Sequence, residues 1–116
     1  MKFELIKKME GLEMYDDIPC LPLDAKDEIG ERYIGEESDS WLLLDEFVNK
    51  IDNICPNTLD YGDVDYFDRN RCIIIKKWLE GNKDSNNPRL KELFEVLYKF
   101  VSQAIELNTG VVIGLW

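Results

Sequence analysis

The sequence contains no histidine. Without an imidazole the chain cannot build a Ser-His-Asp or Cys-His catalytic pair, ligate a metal through histidine, or move protons near neutral pH by the usual side chain. Cysteine is also scarce. Cys20, Cys55 and Cys72 are odd in number and widely spaced, which fits neither a disulfide framework nor a C-x-x-C zinc motif. Reduced, structural thiols in a cytoplasmic protein are the expectation. The seven glycines are scattered and form neither a P-loop nor a G-x-G-x-x-G after a strand, so nucleotide binding by either route is not expected. Long apolar runs are missing too. Nothing approaches the ~20 residues that cross a bilayer, and Lys7, Lys8 and Glu10 interrupt any signal-peptide core.

What is present is an ordinary globular composition: 116 residues, 45% hydrophobic and 33% charged, which suits a single domain over residues 1–116. Three segments carry helical periodicity. Trp41, Leu44, Val48, Ile51 and Cys55 recur at spacings of three and four, with a capping serine before them and Pro56 after. Residues 65–80 place Phe67, Ile74, Ile75, Trp78 and Leu79 on one side, although Cys72-Ile73-Ile74-Ile75 also reads as a short buried strand. Asn87-Pro88 opens a third stripe that Asn108-Thr109-Gly110 closes. The expected fold class is therefore mainly α. Helices over about 39–55, 65–80 and 88–107 would share a core of Trp41, Phe47, Ile51, Ile74, Trp78, Leu93, Leu97 and Val101. Lys2-Phe3-Glu4-Leu5 and Val111-Val112-Ile113 read as extended, either as a small β pairing of the two ends or as tails that pack separately. Residues 16–35 read as loops with one short helix near 24–31.

Charge is distributed unevenly. The net charge is -10, yet residues 1–68 carry 19 acids and 6 bases while residues 69–116 carry 5 acids and 8 bases. Within residues 10–68, 18 acids face only Lys26, Arg32 and Lys50. Repulsion within such a block opposes compaction, so its use is either solubility or attraction of a cationic partner; phosphate backbones and anionic lipid are repelled. The segment best suited to a partner is residues 60–68, where Asp60, Tyr61, Asp63, Asp65, Tyr66 and Asp68 combine carboxylates that accept forked bonds from arginine with aromatic area. The same aspartates also suit a helix N-terminus, as caps or dipole partners. Arg69 and Arg71 then read as local partners of Asp65 and Asp68. A second candidate, Glu36, Glu37 and Asp39, adjoins Trp41, which the helix stripe assigns to the core. Asp16 and Asp17 are a third.

Calcium is the obvious alternative use for these carboxylates, and the spacing rejects it. A loop starting at Asp63 puts Phe67 fifth, Asp68 sixth and Ile74 twelfth; one starting at Asp84 puts Pro88 fifth and Arg89 sixth. No carboxylate pair is singled out for acid–base work, and Cys55 at a helix C-terminus lacks a base. No catalytic residue, cofactor or metal is expected.

A small, acidic, histidine-free chain with an acidic-aromatic segment resembles the immunity proteins of bacterial toxin–immunity systems, including those of contact-dependent growth inhibition. The resemblance lies in size, charge and the apolar helix leading through Asn108-Thr109-Gly110 into Val111-Val112-Ile113, and it carries no residue-by-residue motif. It implies a cytoplasmic, non-catalytic inhibitor of one cognate toxin, often a nuclease with a basic cleft. The alternatives are an acidic nucleic-acid mimic that inhibits a defence nuclease, and a non-catalytic adaptor or structural subunit.

Overall fold

The computed structural model describes residues 1–55, 59, 62–82 and 85–115. It corrects the expected fold class: the chain is α+β. The described elements run β1 (Lys2–Ile6), β2 (Glu13–Tyr15), β3 (Ile18–Cys20), β4 (Gly30–Ile34), α1 (Trp41–Ile54), β5 (Asp63–Phe67), α2 (Arg69–Asn82), α3 (Pro88–Leu107) and β6 (Val111–Leu115). Four strands form one antiparallel sheet in the order β4-β1-β6-β5, and β2 pairs with β3 in a separate hairpin. The two ends of the chain are thus the middle of the main sheet rather than a minor addition to a helical body.

Period-two alternation explains the sheet. Phe3, Leu5, Val111, Ile113 and Phe67 face the helices and are fully buried, while Ile6, Val112, Val64 and Tyr66 face the other way beneath residues of the hairpin and the loop that follows it. Register keeps the faces aligned, pairing Phe3 with Ile113 and Phe67 with Val111. Apolar side chains on both faces give β6 the continuous apolar pattern of a central strand. Rings cross the helix side, Phe3 lying 5.7 Å from Phe47 and Phe47 5.8 Å from Phe94. On the other face Glu4, 3% exposed, is held by Arg32 Nε at 2.7 Å and Lys2 Nζ at 3.2 Å. A buried carboxylate needs such partners.

The expected helix over 65–80 begins later. Asp-Val-Asp-Tyr-Phe alternates along β5, and α2 starts only after Asp68, whose Oδ1 accepts from Arg71 N at 2.9 Å. Residues 72–75 are helical, which settles the strand alternative. The α2 stripe is narrow: Cys72, Ile75 and Leu79 are buried, but Ile74 is 48% exposed and Trp78 only partly covered, edge-on to Phe94. Trp41 is also misassigned by periodicity. It is the first residue of α1 and 65% exposed, at the margin of a buried face that Leu43, Leu44, Phe47, Val48 and Ile51 make. The expected helix near 24–31 is absent; Ala25 N to Pro22 O and Ile29 N to Lys26 O close isolated turns before Gly30 enters β4.

After α3, Asn108 adopts the left-handed conformation (φ 57°) and its amide donates to the last turn, a C-cap that reverses the chain. Thr109 donates its hydroxyl to the Ile6 carbonyl. At Gly110 the reversal leaves no room for a side chain: a Cβ would stand 2.3 Å from the Phe67 carbonyl oxygen and 2.6 Å from the Tyr66 ring. Gly81, inside α2, has nothing within 4 Å. Gly110→Ala is therefore expected to destabilise by about 1–3 kcal/mol through overpacking against fixed backbone, and Gly81→Ala to stabilise by up to about 1 kcal/mol through helix propensity. Urea-denaturation midpoints of the two variants check this, and equal midpoints would contradict it.

Candidate functional site

Of the 18 acids in residues 10–68, 13 are exposed and four half-buried; Asp60 lies outside the described residues, as does Tyr61. Carboxylates stay outside because desolvating an unpaired one is prohibitive. The bases of the same stretch do little to offset them, since Arg32 is engaged with Glu4 and with the Leu21 carbonyl.

The remaining candidate residues alternate across β5 and so do not form one face. Asp63 is exposed, and its Oδ1 accepts from Val64 N at 2.8 Å. Asp65 is half-buried on the helix side, opposite Ile113. Tyr66 is half-buried on the hairpin side, its ring against Gly110, and burial pushes its phenol pKa up. Asp68 is exposed and caps α2. Arg69 and Arg71, expected as helix-surface partners of aspartates, donate to the carbonyls of Ile105 and Tyr66.

The fold does bring two acidic segments together. The turn between β2 and β3 is Asp16-Asp17, with Asp16 at φ 53°, a left-handed value that aspartate tolerates better than most residues. Asp17 and Ile18 line a shallow depression with Tyr66, Asp68 and Arg71. Hairpin turn and β5 exit thereby present carboxylates around a single concavity of about 410 Å³.

Glu36, Glu37 and Asp39 lie elsewhere, in a groove of about 350 Å³ that Met1, Ile34, Trp41 and Leu44 also line. Asp39 organises it. Its two carboxylate oxygens accept from Arg89 Nε at 2.7 Å and Nη2 at 3.0 Å, and Oδ2 also accepts from Glu36 N at 2.9 Å. Arg89 lies 5.9 Å from the Tyr33 ring centre, so one guanidinium ties the loop before α1 to the start of α3 and to β4. Ser40 caps α1 by accepting from Leu43 N. Sequence reasoning missed the exposed apolar part of this corner. The signal was available: a residue just after an N-cap serine belongs to the first turn, where a helical stripe can run past its partner.

Cys20 is exposed, whereas Cys55 and Cys72 are buried. Burial pushes Cys55 up and Cys72 up to about 12, and Cys72 Sγ is directed at the Phe67 carbonyl at 3.3 Å. Among the described residues, no group of three or more Cys, Asp or Glu side chains is placed to hold a metal ion, and no helix is long and apolar enough to cross a membrane. Comparison with protein-family models, curated proteins and solved structures gives no match.

The paired guanidinium holds the Asp39 carboxyl below its ordinary value of 3.8, against the opposing effect of burial. A depressed folded-state value contributes stability above the unfolded value, near pH 4, and loses it as pH falls through the lowered one. The stability difference between wild type and Asp39→Asn is expected to be constant from about pH 7 to 5 and to shrink from about pH 4 downward. Urea unfolding across that range measures it; a difference independent of pH would contradict the pairing.

Proposed function

We propose that this chain is an immunity-type inhibitor that binds a cognate toxin domain through its acidic surface and blocks it by occupancy, without turnover. The observation that carries the reading is the exposure of 13 carboxylates within residues 10–68, a stretch with three bases. A surface of one sign raises the encounter rate with a surface of the other and repels phosphate chains. The partner chemistry that fits is a basic cleft, such as a nuclease presents to its substrate. The hairpin turn and the end of β5 supply the acidic depression for that contact, with Asp17 and Asp68 as its carboxylates, and Asp60, Tyr61 and Asp63 extend the proposed segment in sequence. Such an inhibitor works in the cytoplasm, where its thiols stay reduced.

The test starts with affinity capture from the native host and identification of the bound protein. Asp17→Lys combined with Asp63→Lys is then expected to slow association roughly tenfold or more at low salt. The difference should narrow near about 0.5 M salt, where screening suppresses steering. Circular dichroism and thermal melting establish that the variant keeps its fold. An unchanged association rate in a folded variant would remove this segment from the interface.

A further inference from the structure

We infer that the corner between β4 and α1 is a docking site for a polypeptide segment in which an aliphatic or aromatic side chain is flanked by lysine or arginine. Three large apolar side chains meet water there: Ile34 is 61% exposed, Trp41 65% and Leu42 80%. Ile34 and Trp41 line the same groove, and Leu42 follows Trp41 in the first turn of α1. Scattered apolar side chains on a surface are ordinary, but a tryptophan grouped with two aliphatics beside a concavity has the composition of an interface hot spot.

The surrounding charge specifies the occupant. Glu36 and Glu37 are exposed on the groove. Asp45 and Glu46, one turn further along α1, are exposed and lie three and four residues beyond the apolar pair. Of the cations at the groove, Arg89 bonds Asp39 and lies 3.9 Å from Glu36, and Lys2 pairs with Glu4; with the Met1 ammonium they leave the carboxylates of Glu36, Glu37, Asp39, Asp45 and Glu46 in excess around it. The site is therefore apolar in the middle and negative around it, the complement of an apolar side chain between cations. The Asp39–Arg89 bonds and the Ser40 cap fix the loop and the helix start before any partner arrives, so little ordering cost remains for binding. This inference stands on the geometry of the corner and does not require the inhibitor reading.

The probe is a synthetic peptide with a central leucine and phenylalanine between two pairs of arginines, set against a twin carrying glutamate in place of arginine. Titrated into isotope-labelled protein, the basic peptide is expected to shift the backbone amides of residues 34–46 and the Trp41 indole signal, while the acidic twin shifts neither. Leu42→Ser and, separately, Trp41→Ala should weaken binding at least roughly tenfold with unchanged melting behaviour, since exposed substitutions seldom alter stability. Glu36→Gln with Glu37→Gln should weaken it and flatten its salt dependence. Equal response to both peptides, shifts confined to other elements, or no shift would overturn the inference. So would a stable dimer in sedimentation that Trp41→Ala dissociates, because the corner would then belong to a second copy.

Discussion

Strand β6 is buried at all five positions, and it can be so only because β1 and β5 occupy both of its edges while helices and hairpin cover its two faces. Every backbone amide and carbonyl in such a strand must find a partner within the protein. The main sheet therefore requires the chain to return from α3 at one fixed register, through Asn108, Thr109 and Gly110. The left-handed residue, the buried threonine hydroxyl bonded to the Ile6 carbonyl and the glycine without room for a Cβ satisfy that single requirement from three sides.

From this constraint the distribution of charge follows. The two faces of the sheet take up the apolar residues, and the 13 exposed acids of the described residues within 10–68 lie on the hairpin, the loops and turns, the first half of α1 and the ends of the edge strand β5, where water solvates them. Two of the more buried carboxylates among the described residues have close cationic partners. Glu4 holds Arg32 and Lys2 on one side of the sheet, and Asp39 holds Arg89 at its margin. These pairs give local order, while the exposed carboxylates supply the long-range field.

The helices were legible because α1 and α3 each bury a stripe that recurs every three to four residues, with serine or asparagine at the start. The sheet was legible only at its ends, where β-branched Val111-Val112-Ile113 stood out. Strand β5 was hidden: Asp63, Asp65 and Asp68 resemble the acidic first turn of a helix, and only pairing with β6 favours the extended form of those residues, a contact nearly fifty residues away in sequence. The hairpin strands were hidden because three residues each are too short to show a period. Trp41 and Ile74 are exposed for one reason, while Trp78 packs partly buried against the core. Periodicity shows which side of a helix is apolar but not how wide an arc its neighbours cover, and α2 buries only Cys72, Ile75 and Leu79 while the buried arc of α1 leaves Trp41 at its margin. In the acidic segment the composition was readable, but its alternation across an edge strand was not, since that depends on the same long-range pairing.

The proposal that the acidic surface blocks a toxin by occupancy is tested most directly by titration. The partner recovered by affinity capture is assayed for toxic activity against increasing amounts of the purified protein, with the complex mass measured in parallel. Inhibition complete at one equivalent, a one-to-one complex and a toxin recovered unmodified on dissociation are the predicted result. Full toxin activity in the presence of excess protein, or inactivation by a small fraction of an equivalent through turnover, would contradict it.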